Sequence, residues 1–257
     1  MATVLKIGIC TSVENVAQCI DAGADFVEVN NSKIAGMSES EFNTILDLSQ
    51  KFPQKILAAN CLIPKNIRLT GDVVDYLAVT EFCELSFARL AKLGVKILVF
   101  GSSSAKFVPE GFPYDVAMDQ LVKCVRIFGN VAAKYGQTVV LEPLRYAECN
   151  ITNLVRESKE LADLSQCENV KAHVDFFHLM QNGETLTELK KYACDLGHVH
   201  IASPIMRSLP TFDDGADYKS FIKIIKDANP DMTVSYEGSN DYTPDSLKTM
   251  IAFLKSL

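Results

Sequence analysis

The amino-acid sequence predicts an α/β protein built as a single (β/α)8 barrel. Eight short apolar segments recur along the chain, and helical patterns separate them. The length of 257 residues also matches the ~250 residues that are typical of this barrel. No Pro/Gly/Ser-rich linker or low-complexity tract interrupts the chain. We therefore expect one domain over residues 1–257.

The eight segments have the composition of buried parallel strands. They are rich in Val, Ile and Leu, and they lack the polar–apolar alternation of a sheet with one exposed face. Eight such strands with intervening helices favour a closed barrel over an open, doubly wound sheet. No glycine-rich phosphate turn follows the first segment, as an open dinucleotide-binding sheet would require. The predicted strands are Leu5–Cys10, Asp25–Asn30, Ile56–Asn60, Val95–Gly101, Thr138–Glu142, Lys171–Asp175, His198–Ala202 and Thr233–Glu237.

Local signals place several helix boundaries. Val73–Lys92 and Val116–Lys134 carry apolar residues at intervals near three and four, which predicts two long amphipathic helices. Thr243 before Pro244 predicts the start of the last helix, because threonine caps helices and proline is tolerated in the first turn. Three glycines before predicted strands are expected to end helices in the left-handed conformation, namely Gly23, Gly94 and Gly136.

Composition excludes several classes of function. The net charge of −7 disfavours nucleic acid as a partner, because phosphate binding relies on clustered Lys and Arg. No apolar run approaches the roughly 18 residues of a membrane span, and no signal peptide is expected. The eight cysteines form no CxxC pair, which favours reduced thiols and a cytoplasmic location. Four of them lie in apolar stretches and are predicted to be core residues: Cys10, Cys83, Cys124 and Cys194.

Four consecutive predicted strands end in side chains that can bind a metal ion. They are Glu142, Asp175, His200 and Glu237, at the ends of strands five to eight. In a barrel these ends meet at one mouth, where active sites lie. Three uncompensated carboxylates there would be costly without a cation. Three oxygen ligands and one imidazole suit Mn²⁺, and also Mg²⁺ or Co²⁺, whereas zinc would more often recruit further His or Cys.

Other polar residues near the predicted mouth have a simpler structural interpretation. His173 and His198 share strand parity with the candidate ligands and are expected one layer below the metal, as buried histidines. Glu28, at the end of the second predicted strand, is more simply a salt-bridge partner. Gly101–Ser104 could hold a phosphate or form a solvated turn. Three phenylalanines in predicted loops either cover the mouth or pack the loops: Phe107, Phe112 and Phe212.

Three motifs around these residues resemble a known family. They are Glu142-Pro-Leu-Arg-Tyr-Ala-Glu148-Cys-Asn150, Asp175-Phe-Phe-His178 and His198-Val-His200. Their order and spacing are similar to the xylose-isomerase-like barrels, within the sugar (phosphate) isomerase/epimerase group that includes ketose 3-epimerases and hydroxypyruvate isomerase. The resemblance covers nearly the whole chain and implies a (β/α)8 barrel that acts on a small sugar or keto-sugar.

The resemblance also implies roles for individual residues. Glu142, Asp175, His200 and Glu237 would bind one divalent metal, and Glu142 and Glu237 would also form the acid/base pair. Contacts to substrate are implied for three further residues, namely Glu148 at the carbonyl end of the sugar, His178 and Arg207. A homo-oligomer is compatible with this group of barrels.

Several reactions are compatible with this constellation. Proton abstraction next to a carbonyl gives an enediolate, and returning the proton to the opposite face or to the neighbouring carbon gives an epimerase or an isomerase. The same abstraction could instead expel a leaving group, as in a lyase or dehydratase acting on a keto-sugar or keto-glycoside. A DNA-repair endonuclease is disfavoured by the four histidines and the acidic charge. A non-catalytic barrel is disfavoured by the full ligand set, and a Schiff-base aldolase by Lys171 at the wrong strand end.

Overall fold

Eight parallel strands close into a barrel in which each strand pairs with the next along the chain and the last pairs with the first. The fold comes from a computed structural model that describes residues 5–257. The fold-class prediction is confirmed, and each predicted strand is found within a few residues of its expected bounds. The strands are β1 (Lys6–Cys10), β2 (Phe26–Asn30), β3 (Ile56–Asn60), β4 (Ile97–Phe100), β5 (Thr138–Leu141), β6 (Val170–Asp175), β7 (Leu196–Ile201) and β8 (Thr233–Tyr236).

Helices connect the strands. Short 3₁₀ turns at Val13–Asn15 and Ala193–Asp195 precede α1 and β7. Among residues 5–257, no helix combines the length and the apolar character that crossing a lipid bilayer would require. The helices are α1 (Val16–Asp21), α2 (Asn31–Gly36), α3 (Glu39–Ser49), α4 (Tyr76–Leu93), α5 (Ser103–Lys106), α6 (Tyr114–Ala133), α7 (Val155–Ser165), α8 (Phe176–Gln181), α9 (Leu186–Leu189), α10 (Tyr218–Ala228) and α11 (Pro244–Ser256).

The predicted helix signals are mostly found where expected. Thr243 caps α11 by accepting a hydrogen bond from the Ser246 backbone N–H. The helix predicted from Val73 begins three residues later, because Asp75 caps it at the Ala78 N–H and Val73 is 79% exposed. The three glycines expected in the left-handed conformation all have positive φ, with values of 101° at Gly23, 93° at Gly94 and 61° at Gly136.

The barrel interior is unusually polar on its upper levels. At the bottom, the Phe26 ring fills the space beside Gly8, where a Cβ would lie 2.2 Å from the ring. Above it, His173 pairs in register with His198 on the neighbouring strand. His198 Nδ1 lies 2.6 Å from Thr233 Oγ1. These buried polar side chains replace the branched apolar residues that usually fill such barrels and lead upward to the mouth.

The cysteine prediction is partly wrong. Cys83 and Cys124 are buried core residues, as expected, and Cys10 is half-buried at the mouth. Cys194 is exposed, because it lies in the 3₁₀ turn before β7 rather than in the strand. All eight cysteines belong to the described part of the chain and are free thiols.

A half-buried acid between α8 and α9, Glu184, contacts the start of α7. The Glu184 carboxylate accepts hydrogen bonds from the Val155 backbone N–H, with N–O distances of 3.1 and 3.3 Å, at the first residue of α7. Burial, together with the nearby Glu188 and Glu157, raises the pKa of Glu184 to about 7. An acid whose pKa is raised on folding stabilises the fold only while it is protonated. Its contribution is complete below the unfolded pKa of about 4.3 and is lost as the pH rises through about 7.

We therefore expect Glu184→Gln to become more stable relative to wild type as the pH rises from 5 to 8. The gain should be roughly 1–2 kcal/mol, which is less than the full shift because the carboxyl is partly screened by solvent. Urea unfolding at both pH values measures it, with the exposed Glu168→Gln as the control. Equal pH dependence in Glu184→Gln and wild type would contradict the prediction.

Candidate metal centre

Four side chains from adjacent strands converge at the carboxyl end of the barrel. Asp175 and His200 lie on β6 and β7, where they are partners in register. Glu142 and Glu237 come one residue after β5 and β8. One ligand atom from each of the four lies within 4.8 Å of the others. The structure thus brings together all four residues that the sequence marked as candidate ligands, and their binding of a metal stays a prediction.

The donor atoms of this cluster fit a divalent cation. Glu142 Oε1 and His200 Nδ1 are buried and have no hydrogen-bond partner among residues 5–257. His200 Nδ1 lies 3.4 Å from Glu142 Oε1 and 3.2 Å from Glu237 Oε2. Buried polar atoms without partners are costly, and a cation would satisfy both. Three carboxylates and one imidazole form a donor set suited to Mn²⁺, Mg²⁺, Co²⁺ or Zn²⁺.

The Glu28 carboxylate fixes the orientation and the tautomer of the His200 ring. Glu28 is fully buried, and its two oxygens lie 2.9 Å from His200 Nε2 and 3.0 Å from His198 Nε2. A carboxylate accepts hydrogen bonds, so the proton of a neutral His200 ring resides on Nε2. The Nδ1 lone pair is then directed at Glu142 and Glu237. Such a carboxylate–histidine pair is the usual device that orients a metal-binding imidazole.

The two glutamates of the cluster have opposite electrostatic environments. Burial and the neighbouring Glu237 charge raise the pKa of Glu142. Burial acts on Glu237 in the same direction, but His200 and Arg207 outweigh it and lower the pKa of Glu237 to about 2. Glu142 is therefore the weaker acid of the pair and Glu237 the stronger. Oppositely shifted carboxyls are typical of acid/base pairs.

Arg207 balances part of the negative charge. Its Nη2 lies 2.9 Å from Asp175 Oδ2 and 2.5 Å from Glu237 Oε2, and its Nε donates to the Glu237 carbonyl. Met206 and Arg207 both have positive φ, 59° and 52°, a conformation that costs energy for residues other than glycine. The strained loop is retained because these ion pairs hold it. Arg207 thus lies at the cluster, and the substrate contact that the resemblance implies for it stays a prediction.

His178 and Glu148 line the other side of the mouth. His178 Nδ1 accepts a hydrogen bond from the Arg145 backbone N–H at 3.2 Å, so the proton of a neutral ring is on Nε2. That buried Nε2 has no partner in the described chain and lies 3.7 Å from Asp175 Oδ2, which makes it a donor available to a ligand. Glu148 accepts a hydrogen bond from Arg145 Nε at 2.5 Å and lines the same cavity.

Sequence reasoning missed two residues that support Glu142. The fully buried Lys106 donates from Nζ to the Glu142 carbonyl oxygen at 3.0 Å and to Thr152 Oγ1 at 2.8 Å. Gly101 leaves room for the carboxylate, because a Cβ at this position would lie 2.1 Å from Glu142 Oε2. Nothing in the sequence indicated the role of Lys106, which follows the serine-rich segment Gly101–Ala105.

Asn60 was likewise not assigned, although it closes a predicted strand. Its Nδ2 donates to Glu237 Oε1 at 2.8 Å, which fixes the rotation of that carboxylate. The three loop phenylalanines differ: Phe112 packs partly against the core, whereas Phe107 and Phe212 are 43% and 85% exposed.

Comparison with known proteins identifies the family of this fold and site. The family model described as xylose isomerase-like TIM barrel matches residues 16–257. The chain therefore belongs to the xylose isomerase-like TIM barrel family. This confirms the family that its strand-end motifs resemble. No single curated protein matches the chain in sequence.

Solved structures of sugar epimerases have the same fold. The D-allulose 3-epimerase from Methylomonas sp. superposes with a TM-score of 0.84 at 19% identity, covering 100% of this chain and 99% of that one. The 3-keto-D-glucoside 4-epimerase YcjR from E. coli gives a TM-score of 0.83 at 19% identity, covering 98% and 100%. IOLI protein with a bound zinc atom gives 0.69 at 16% identity, covering 97% and 96%. At these identities the likeness concerns the fold.

We predict that Gly101→Ala displaces the Glu142 carboxylate, because the new methyl group would overlap Oε2. Affinity for Mn²⁺, measured by isothermal titration calorimetry, should fall about tenfold or more, a loss of at least ~1.4 kcal/mol. Gly36→Ala is the matched control, since no atom lies within 4 Å of a Cβ there. Unchanged Mn²⁺ affinity in Gly101→Ala would show that Glu142 is not a ligand.

We predict that Glu28→Gln weakens metal binding about 10–100-fold, the usual effect of removing a carboxylate that orients a ligand histidine. Glutamine has one acceptor oxygen where two imidazole N–H groups need one each. Titration with Mn²⁺ and Zn²⁺ measures the loss, and the exposed Glu14→Gln at the same mouth serves as the control. Wild-type affinity in Glu28→Gln would refute the role assigned to Glu28.

Proposed function

We propose that this protein is a divalent-metal-dependent sugar isomerase or epimerase that removes a proton next to a carbonyl and passes through an enediolate. The observation that carries the proposal is the convergence of Glu142, Asp175, His200 and Glu237 within 4.8 Å beneath an open cavity of about 450 Å³. That volume lies in the range of small-ligand sites. Mn²⁺ is the proposed ion, because oxygen donors dominate the set.

The chain's own residues supply the proton transfers in this proposal. Glu237 is the base that accepts the proton on one side of the sugar. Glu142 returns a proton from the other side, and the two exchange roles in the reverse direction. A divalent cation in the cluster would supply Lewis-acid stabilisation of the negative charge that develops on the sugar oxygens.

Neighbouring side chains would hold the sugar for this exchange. His178 Nε2 is a buried donor without a partner in the described chain, and it suits a sugar oxygen. Arg207, half-exposed at the cavity wall and stacked 5.0 Å from the Phe177 ring, suits a second oxygen. Glu148 lines the same cavity and is proposed to accept a hydrogen bond from a hydroxyl near the carbonyl end.

The structural neighbours support an epimerase over other sugar chemistry. Two of those reported are by name an epimerase of D-allulose and one of a 3-keto-D-glucoside. Each name describes a carbonyl sugar whose configuration changes at one carbon. We extend this class of reaction, and not either individual substrate, to the present chain.

We predict that the Mn²⁺-loaded protein incorporates deuterium next to a carbonyl when it is incubated with ketoses, aldoses and keto-glycosides in D₂O. Glu142→Gln and Glu237→Gln should each lower this exchange by about 10²–10⁴-fold, the usual contribution of acid/base catalysis. Nuclear magnetic resonance of the recovered sugars measures the exchange. The exposed Glu110→Gln is the control.

Two outcomes would overturn the proposal. If deuterium exchange persists in both Glu142→Gln and Glu237→Gln, these two residues are not the acid/base pair. Loss of water or of an aglycone from the probe, in place of an epimer or isomer, would identify a lyase instead.

A further inference from the structure

The mouth of the barrel contains two adjoining chambers that share part of their lining. The metal-side chamber, of about 450 Å³, is lined by Glu142, Glu148, His178 and Arg207 among others. The β1-side chamber, of about 910 Å³, lies over the ends of β1, β2, β3 and β8. Both chambers are lined by the same three residues at their junction, namely Asn30, Cys61 and Glu237.

Each chamber alone has the size of a ligand site. Pockets for small ligands span roughly 300–1,000 Å³, and both volumes fall within this range. The β1-side chamber is the larger, yet it contains none of Glu142, Glu148, His178 and Arg207. A group placed there would be recognised without reacting, while a group bonded to it could reach the proposed base Glu237.

The walls of the β1-side chamber combine an apolar floor with neutral polar groups. Buried Val13 and Ile34 form part of the floor. The half-buried Tyr242 ring adds an aromatic face, which suits the C–H face of a sugar ring. The exposed amides of Gln18 and Asn240 can both donate to and accept from hydroxyl groups.

The charge of this chamber disfavours a phosphate. Lys33 is the one basic side chain among the described residues that line it, and Glu14 and Glu237 are acidic. Phosphate sites gather several cations or backbone N–H groups. Neutral hydroxyls match these walls better than an anion does.

We propose that the β1-side chamber binds the second ring of a two-ring sugar. The substrate would then be a keto-sugar joined by a glycosidic bond to a further sugar ring, and not a free monosaccharide. This inference rests on the proposed function, because the metal-side chamber must hold the reacting ring. The second ring contacts Gln18, Tyr242 and Asn240.

The test compares probes that differ only in the second ring. One pair is D-fructose and glucosyl-(1→6)-fructose. The other pair is methyl 3-keto-D-glucoside and a disaccharide in which the same 3-keto-glucosyl ring is linked to a second sugar ring. Deuterium exchange with the Mn²⁺-loaded protein should give kcat/KM about tenfold higher for the two-ring member of at least one pair, which corresponds to ~1.4 kcal/mol. Equal values within both pairs would overturn the proposal.

Variants locate the effect in the β1-side chamber. Gln18→Trp fills the chamber from the exposed face of α1, and Tyr242→Ala removes its aromatic wall. Both should abolish the tenfold preference, measured within each variant as the ratio of kcat/KM for the two-ring probe to kcat/KM for the one-ring probe. Ala17→Trp places the same bulk on the neighbouring exposed position, outside the chamber lining, and should keep the preference. A preference that survives Gln18→Trp and Tyr242→Ala would overturn the proposal.

Direct binding separates this inference from the proposed function. Saturation-transfer magnetic resonance reports contact of the second ring with the protein without any reaction. If no probe exchanges deuterium but the second ring still contacts the protein and Gln18→Trp removes that contact, the proposed reaction is wrong and the second-ring site is supported. If one-ring probes exchange deuterium but no second ring contacts the protein, the proposed reaction is supported and the second-ring site is wrong.

Discussion

The repulsion among three carboxylates packed around one imidazole is the constraint on which the mouth of this barrel depends. Glu142, Asp175 and Glu237 lie close enough that their charges must be compensated. Arg207 supplies one positive charge directly to Asp175 and Glu237. The remaining negative charge is what the proposed divalent cation would balance. The strained backbone of the Arg207 loop is a cost of keeping that guanidinium in place.

Support for this cluster extends down into the barrel. Glu28 receives hydrogen bonds from both His200 and His198, and His198 also reaches Thr233 and Ser235. This network takes the place of an apolar barrel filling. Connected buried hydrogen bonds restrict side-chain orientation, and they occupy Nε2 of His200 while its Nδ1 is left without a partner in the described chain. The network holds His200 so that Nδ1 is presented at the mouth.

The sequence predicted the barrel and the convergence of the four strand-end residues because both follow from periodic features. Buried parallel strands appear as short apolar runs, and the side chains after them share one edge of the barrel. Glu28, Asn60 and Lys106 could not be assigned in the same way. Their roles depend on which carboxylate or carbonyl each contacts across the barrel, and such contacts between distant segments leave no periodic signal. Cys194 was misplaced because its apolar neighbours Ala193 and Leu196 are buried, whereas its own side chain points to solvent from the 3₁₀ turn before β7.

The two chambers at the mouth lie over two halves of the barrel. These halves differ in how well they tolerate amino-acid substitutions. Residues after β5 to β8 hold the crowded charges, so most substitutions there disturb several partners at once. The loops after β1 and β2 contribute none of the four clustered side chains, and Gln18 and Asn240 are open to solvent. Substitutions in the loops after β1 and β2 can therefore reshape the β1-side chamber while the four clustered side chains and their partners stay in place.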